Sequence, residues 1–229
     1  MEILHNGYTL DLPEGVFPLS TDSMLLAHFA RLPRNAQVLD LGSGCGTLGL
    51  LLCAKSPDCR VVGVELTETA HMAALENIRR NDLDGRMESI CADLRRISDL
   101  TPMGSFSCCI SNPPYFSGGP ASQALPLARR QDCCGCHDLF AAAAWGLKYG
   151  GDFFLVHRPE QTGYLIAQAS QFQMEAKRLC LVRHRTDGPV ALVLLSFRKG
   201  GKPGLCWEEL ALRNPDGSPT DAYRQIYHI

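Results

Sequence analysis

Three glycines at alternate positions directly follow a short apolar segment in the first quarter of the chain. The segment runs from Val38 to Leu41, and the glycines are Gly42, Gly44 and Gly46. Glycine adopts backbone conformations that are closed to other residues and, lacking a Cβ, lets the main chain approach a ligand closely. The pattern therefore predicts a strand, a tight ligand-binding loop and a helix in succession, as in the first unit of a nucleotide-binding α/β fold.

Strand-like and helix-like patterns alternate through the rest of the chain. We predict strands over 37–41, 60–65, 87–91, 106–111, 152–157, 174–183 and 190–199, and helices over 21–31, 47–55, 67–81, 138–148 and 159–172. Helices between strands favour parallel pairing, and Asp187-Gly188 between the last two strands is typical of a hairpin. The sequence thus predicts an α/β, Rossmann-like fold with a seven-stranded, mostly parallel sheet and a C-terminal antiparallel hairpin.

Two of the predicted helices carry capping signals. Ser20 or Thr21 is expected to cap the start of the helix over 21–31 through its hydroxyl. Gly150-Gly151 is expected to end the alanine-rich helix over 138–148 as its C-cap. These signals set the expected boundaries of both helices.

The composition is that of an ordinary globular chain. Hydrophobic residues make up 45% and charged residues 20% of the 229 positions, and no apolar run approaches the ~18 residues needed to cross a bilayer. Residues 1–7 lack the features of a secretory signal. The 11 cysteines are odd in number and lie in strand-like and helix-like segments, which favours reduced thiols over a disulfide framework. We therefore expect a cytoplasmic protein without a membrane partner.

The charge is nearly balanced but unevenly distributed. The formal net charge of −2 excludes a chain that is basic throughout, as a general nucleic-acid binder would be. Between residues 175 and 202, however, there are seven basic and two acidic residues, and Arg129-Arg130 forms a second basic cluster. Both groups of cations could bind phosphates near a site. Alternatively, the cations between 175 and 202 could simply lie at solvent-exposed strand ends.

The residues around the glycine loop favour a ligand that joins an amino acid to a nucleoside. Asp40 can accept a hydrogen bond from an ammonium group or from a bridging water, and Glu65, at the end of the second predicted strand, can accept from both hydroxyls of a ribose. The Gly-x-Gly-x-Gly spacing differs from the Gly-x-Gly-x-x-Gly of dinucleotide folds, and an acidic residue beside it disfavours a pyrophosphate. Asp93, after the third predicted strand, can accept from an adenine amino group or cap a helix.

Asn112-Pro113-Pro114-Tyr115 ends the fourth predicted strand. That strand should lie beside the first, so the loop should border the ligand crevice. The two prolines have no N–H, which leaves acceptors: the Asn112 side-chain oxygen and the Pro113 carbonyl. Two acceptors suit a planar NH2 group, because they aim its lone pair at a methyl donor, and Tyr115 can stack on a flat substrate. The loop therefore predicts methylation of a nitrogen by positioning and local electrostatics, without a strong base.

With these motifs the chain is similar to the class I methyltransferases, and among them to those with (Asp/Asn/Ser)-Pro-Pro-(Tyr/Phe/Trp). Segments 15–27, 112–116, 157–160 and 214–223 resemble those of the bacterial tRNA1(Val) adenine N6-methyltransferase family. The resemblance implies S-adenosyl-L-methionine as the cofactor, tRNA as the partner, and the adenine just 3′ of a valine tRNA anticodon as the target.

The resemblance also implies roles for domains and individual residues. Residues 1–33 would cover the cofactor site, 34–200 would form the methyltransferase domain, and 201–229 would be an extension packed on it. The expected cofactor-binding residues are Asp40, Gly42, Gly44, Gly46, Glu65, Leu66, Asp93, Leu94 and Asn112. The expected catalytic residues are Asn112, Pro113, Pro114 and Tyr115, and the expected substrate-binding residues are Tyr115, Phe116, Arg129 and Arg130.

Other activities are compatible with the same loop. A release-factor glutamine N5-methyltransferase or an rRNA guanine N2-methyltransferase would act on a similar planar NH2 group. An RNA-binding module without turnover is disfavoured by Asn112 and Tyr115, and a nicotinamide oxidoreductase by the glycine spacing. Cys133, Cys136 and His137 form part of a zinc-ligand pattern, but no second ligand pair accompanies them, and we expect no metal.

Overall fold

Strands and helices alternate along the chain as the sequence predicts. The computed structural model describes residues 2–4, 7–12, 19–114 and 135–227. The strands are β1 (Glu2–Ile3), β2 (Thr9–Leu10), β3 (Gln37–Leu41), β4 (Arg60–Glu65), β5 (Met87–Cys91), β6 (Phe106–Ser111), β7 (Leu147–His157), β8 (Met174–Arg185), β9 (Val190–Lys199) and β10 (Cys206–Arg213). The helices are α1 (Thr21–Phe29), α2 (Thr47–Lys55), α3 (Glu68–Arg80), α4 (Ile97–Leu100), α5 (Cys136–Gly146), α6 (Thr162–Gln171) and α7 (Asp221–Tyr227), with 3-10 turns at Leu94–Arg96 and Pro159–Gln161. Over the described ranges, no helix has the length and apolarity needed to span a membrane.

One sheet of the described chain has eight strands in the order β10-β8-β9-β7-β6-β3-β4-β5. Neighbours are parallel except at β9, which runs antiparallel to both β7 and β8. The predicted Rossmann-like α/β fold with its antiparallel hairpin is confirmed. The sheet has one strand more than the seven predicted, because β10 pairs with the outer strand β8. This edge strand escaped prediction since it carries Glu208, Glu209 and an exposed Trp207 in place of an apolar pattern.

Helices cover both faces of the sheet, which explains the nearly continuous apolar sequence of its central strands. Successive side chains of a strand point to opposite faces. Val38 and Phe154 pack with α1, α2 and α7, whereas Leu39 and Phe153 pack with α4, α5 and α6. The chain is therefore doubly wound, and the carboxyl ends of its parallel strands share one edge.

The prediction that Gly150-Gly151 caps a helix is wrong. Helix α5 ends at Gly146, and β7 begins at once with Leu147, which is fully buried and pairs with β6. The end of α5 is capped instead by Lys199, whose ammonium donates to the carbonyl of Ala144 in the last turn and to that of Leu147 just after the helix. Gly150 adopts a left-handed turn within β7, and a Cβ on Gly151 would lie 2.9 Å from a β6 carbonyl oxygen. The two glycines thus serve strand pairing.

Asn77 in the last turns of α3 and Asn81, its C-cap, hold the N-terminal segment. Asn81 accepts from the Thr9 amide at 2.7 Å and donates to the Thr9 carbonyl at 2.8 Å. Asn77, which is fully buried, accepts from the Asp11 amide and donates to its carbonyl at 2.8 and 3.0 Å. Asn77 Nδ2 also donates to the Cys45 carbonyl at 3.1 Å. The two carboxamides therefore act as a strand partner and tie the N-terminal segment to the glycine loop.

The C-terminal end of α1 is fixed by two cations from other elements. Lys55, at the end of α2, donates its Nζ to the carbonyls of Ala27, His28 and Ala30 at 2.9, 2.8 and 2.6 Å. The carbonyl between them, on Phe29, accepts from Arg178 Nη1 of β8 at 3.0 Å. Four consecutive carbonyls that have no partner within the helix are thereby satisfied.

Replacement of Lys55 by methionine should loosen this end of α1. The variant keeps the apolar stem but leaves the partly buried carbonyls of Ala27 and Ala30 without their donor, which costs about 1–3 kcal/mol. The free energy of unfolding in urea at pH 7 measures the loss. Lys148→Met, at an exposed position of β7, is the matched control and should change stability by less than about 0.5 kcal/mol. Equal stability of the two variants would contradict the assigned role of Lys55.

Candidate active site

The motifs singled out in the sequence meet at the carboxyl edge of the sheet. Strand β3 lies between β4 and β6 and runs parallel to both, so the ends of the three strands lie side by side. The glycine loop follows β3, Glu65 ends β4, and Asn112 follows β6. Ser111 Oγ donates to the Leu41 carbonyl at 2.7 Å, which ties the end of β6 to the start of the glycine loop. This is the switch point at which doubly wound sheets bind ligands.

The glycine loop passes through three left-handed residues. The φ angles are +73° at Gly42, +55° at Gly44 and +82° at Gly46, and the Gly42 amide donates to the Val64 carbonyl at 2.9 Å. Among the described residues, no atom lies within 4 Å of a Cβ built on Gly42 or Gly44, whereas one built on Gly46 would lie 2.6 Å from Met87 Cε. Gly42 and Gly44 therefore leave an open surface for a ligand, while Gly46 serves packing at the start of α2.

Asp40 is a buried acid without a hydrogen-bond partner in the described part of the chain. Neither carboxyl oxygen is accessible or bonded, and the same holds for Ser43 Oγ in the glycine loop. Burial, and secondarily the nearby charge of Glu65, raises the pKa of Asp40 to about 8. Unpaired buried polar atoms cost stability and are concentrated at functional sites. The open glycine loop fits the amino-acid end of S-adenosyl-L-methionine, and the unpaired carboxyl group of Asp40 lies at the end of the strand that leads into this loop.

Glu65 braces the glycine loop from the end of β4. Its Oε2 accepts from the Gly44 amide at 2.9 Å, and its Oε1 accepts from the amide and hydroxyl of Thr67, both at 2.8 Å. A carboxylate oxygen accepts about two hydrogen bonds, so Oε2 can take a ligand hydroxyl while the group stays fixed. Leu66 beside it is 47% exposed. A ribose contact at Glu65 and an apolar contact at Leu66 stay predictions that this geometry permits.

Asp93 caps a turn. The sequence left two roles open for this residue, a helix cap or an acceptor for an adenine amino group, and the structure shows the capping contact. Its Oδ1 accepts from the Arg95 amide at 2.9 Å at the start of the 3-10 turn that begins with Leu94. The Arg95 guanidinium also binds both carboxylate oxygens, and these bonds lower the pKa of Asp93. An adenine amino group at this position would share the carboxylate with Arg95.

Asn112 has a defined orientation at the end of β6. Its Nδ2 donates to Ser23 Oγ of α1 at 3.0 Å, which leaves the side-chain oxygen as an acceptor. Pro113 is buried and Pro114 is exposed, and neither has an amide hydrogen. The segment thus presents acceptors, as the argument from the sequence requires.

Several predicted site residues lie outside the described residues. They are Tyr115, Phe116, Arg129, Arg130 and Cys133. Cys136 and His137 begin α5, where Cys136 is buried and the His137 ring meets Phe172 edge-on at 5.0 Å. Across the ranges that the structure describes, no three metal-binding side chains come together.

The basic segment between 175 and 202 has largely structural contacts. Arg178 forms a two-point ion pair with Glu208, Arg198 forms one with Asp152, and Lys199 caps α5. Three of the seven cations between 175 and 202 are therefore engaged in contacts within the domain, and whether the segment binds phosphate stays a prediction.

Ser23 is a site residue that the sequence argument did not single out. It lies 89 positions from its partner Asn112, and no local pattern predicts a contact over that distance. The feature of the sequence that could have drawn attention to Ser23 is its spacing of three residues from Ser20 at the start of α1. The Ser20 hydroxyl accepts from the Ser23 amide at 3.2 Å as the predicted N-cap.

Comparison with known proteins agrees with this geometry. The profile of the methyltransferase small domain family matches residues 15–177. A tRNA1(Val) (adenine(37)-N6)-methyltransferase from Aeromonas hydrophila is 30% identical over 212 residues, covering 91% of this chain and 87% of that protein. One of the same name from Photobacterium profundum is 28% identical over 184 residues, covering 78% of this chain and 76% of that protein.

The fold also matches solved structures. The crystal structure of a predicted O-methyltransferase from Agrobacterium tumefaciens superposes with a TM-score of 0.76 at 21% identity, covering 91% of this chain and 96% of that one. The family profile spans more than half of the chain, and the site lies within it. The chain therefore belongs to the methyltransferase small domain family and is an S-adenosyl-L-methionine-dependent methyltransferase.

Proposed function

We propose that this enzyme methylates the N6 amino group of an adenine in tRNA, and that the target is adenine 37 of tRNA1(Val). The observation that carries the proposal is the Asn112 carboxamide, which Ser23 holds beside the glycine loop with its oxygen as an acceptor. The names of the relatives from Aeromonas and Photobacterium support the tRNA substrate. A planar amino group has two hydrogens to donate, and the Asn112 oxygen and the Pro113 carbonyl are suited to accept them.

The proposed chemistry depends on positioning. S-adenosyl-L-methionine, when bound, supplies an electrophilic methyl group. The lone pair of an exocyclic amine is delocalised into the ring, which makes the nitrogen a poor nucleophile. Acceptance of both hydrogens by Asn112 and Pro113 favours a tetrahedral nitrogen whose lone pair points out of the ring plane. The methylated nitrogen is acidic and loses its proton afterwards, so no strong base is needed.

The target base must leave its stack to reach this loop. In this proposal Tyr115 stacks on the base, and Phe116, Arg129 and Arg130 contact the surrounding RNA. The positive charge of Arg129-Arg130, which suits contact with phosphate groups, supports this role.

The proposed cofactor contacts come from the ends of three neighbouring strands, β3, β4 and β5. Asp40 would accept from the ammonium group, Gly42 and Gly44 would line the amino-acid end, and Glu65 would hold the ribose. Asp93 and Leu94 would border the adenine. Residues 1–33 would cover the cofactor through α1, and 201–229 would serve as an extension of the domain over 34–200, in keeping with the packing of α7 on α1 and of β10 on β8.

Asn112→Ala should lower the rate of methyl transfer to tRNA about 10²–10³-fold, since it removes an acceptor aimed at the reacting amine. Binding of S-adenosylhomocysteine should change little. Transfer of labelled methyl groups to tRNA measures the rate, and nucleoside mass spectrometry should find the label in N6-methyladenosine.

Asn35→Gly is the matched control, because Asn35 lies before β3 at the opposite edge and has a left-handed φ of 52°. It should retain full transfer. Label in N2-methylguanosine or in a protein glutamine would contradict the adenine proposal, and undiminished transfer by Asn112→Ala would contradict the role of the loop.

Asp40 should make cofactor binding depend on pH. In the free protein its pKa of about 8 keeps the carboxyl group protonated at pH 6–7, whereas an ammonium ligand requires the carboxylate. Affinity for S-adenosylhomocysteine should therefore rise about tenfold from pH 6 to pH 7, with release of about one proton per ligand. Calorimetry in two buffers of different ionisation enthalpy measures both quantities.

Asp40→Asn should abolish the proton release and flatten the pH dependence. Asp84→Asn, at an exposed position before β5, should behave like the wild type. The raised pKa of Asp40 also makes the stability of the free protein depend on pH. Between about pH 4 and 8 the folded state binds this proton and the unfolded state does not. The contribution of Asp40 to stability therefore falls as pH rises through that range. Proton uptake on binding would contradict the assignment.

A further inference from the structure

The start of α1 carries a chain of hydrogen bonds that ends on Asn112. The Ser23 amide donates to Ser20 Oγ at 3.2 Å, the two hydroxyls lie 3.3 Å apart, and Asn112 Nδ2 donates to Ser23 Oγ at 3.0 Å. Ser23 is only 7% exposed, so solvent competes little for its hydroxyl. The three polar groups therefore form a connected network between α1 and the end of β6.

The direction of these bonds determines which end of the carboxamide faces the loop. When the Ser23 oxygen accepts from Asn112, its own hydrogen remains to be donated to Ser20. If the carboxamide were turned over, the Ser23 hydrogen would instead occupy the Asn112 oxygen, and the NH2 group would point away from α1. A donor in that place would repel the hydrogens of an incoming amine, whereas the observed orientation offers an acceptor.

The helix that carries Ser23 is held at both ends. Ser20 caps its first turn, and Lys55 and Arg178 bind the carbonyls of its last turn. Arg178 also lies over the Phe29 ring at 4.0 Å. A hydroxyl on a helix fixed in this way keeps its position while the substrate enters and leaves.

We propose that Ser23 is a positioning residue for methyl transfer, whose hydroxyl orients the Asn112 carboxamide so that its oxygen faces the amino group to be methylated. The inference rests on the proposed function only in taking Asn112 as the acceptor of that group. Ser23 acts through Asn112 and touches neither the cofactor nor the substrate in this role.

Kinetics of two variants at this position test the proposal. Ser23→Ala should lower kcat for methyl transfer about tenfold or more, with the KM for S-adenosyl-L-methionine unchanged, and Ser23→Thr, which keeps the hydroxyl, should restore most of the rate. In an Asn112→Ala background, Ser23→Ala should cause no further loss, because its effect passes through that side chain. Ser196→Ala, a buried serine of β9, is the control for loss of a buried hydroxyl and should keep the wild-type kcat.

A loss that appears in full in the Asn112→Ala background, or that raises KM alone, would overturn the proposal in favour of a structural role. So would equal losses in Ser23→Ala and Ser23→Thr. A second readout needs no substrate: the side-chain NH2 signals of Asn112 in a 15N-correlated NMR spectrum, assigned by their absence in Asn112→Ala, should shift in Ser23→Ala and stay near their original positions in Ser23→Thr.

The two readouts separate failure of the inference from failure of the proposed function. If the wild-type enzyme methylates no tRNA, the substrate proposal fails, and the NH2 signals still decide whether Ser23 holds Asn112. If Asn112→Ala abolishes transfer while Ser23→Ala leaves both kcat and the NH2 signals unchanged, the proposed function stands and the role of Ser23 is refuted.

Discussion

Parallel pairing of β3 with both β4 and β6 is the constraint on which the site depends. It brings the three strand ends to one edge of the sheet, although they are distant in sequence. Their loops must then share the same small volume, and the Ser111–Leu41 bond fixes how two of them meet. Helices on both faces exclude water from the strands, so the edge is the place where polar side chains can reach a ligand. The position of the site follows from the topology, and its chemistry follows from the residues at three strand ends.

The energetic cost of this arrangement is concentrated at Asp40. A buried carboxyl group without a partner destabilises the free protein unless it keeps its proton, which is the state that its raised pKa describes. The end of α1 shows the more usual arrangement, since Lys55 and Arg178 bind four carbonyls there. Asp40 lies instead at the edge where we propose that the cofactor binds, and in that proposal the ligand supplies its missing partner.

Sequence patterns predicted what depends on neighbours in the chain. The bounds of β3, α2, β4, β5 and β6 are as predicted, because each is short, strongly patterned and flanked by turn residues. The role of Gly151 and the existence of β10 were missed, since a β6 carbonyl in one case and the free edge of β8 in the other decide them. In the site, the sequence predicted that Asp40, Glu65 and Asn112 lie at neighbouring strand ends, as they do, while their chemical roles stay predictions. The partner Ser23 was not, because a hydrogen bond across 89 residues leaves no local trace.

The hydrogen bond between Ser23 and Asn112 also affects which substitutions position 112 can accept during evolution. A hydroxyl donates as well as accepts, so the same serine that accepts from an asparagine could donate to an aspartate at position 112. Among the related motifs, which begin with Asp, Asn or Ser, an aspartate has the same reach as asparagine and could be held by an unchanged Ser23, whereas a serine is one atom shorter. An alanine at position 23 would hold neither asparagine nor aspartate, and a carboxylate there would exclude an aspartate. The serine at position 23 therefore allows exchange between asparagine and aspartate at position 112 without a compensating change in α1.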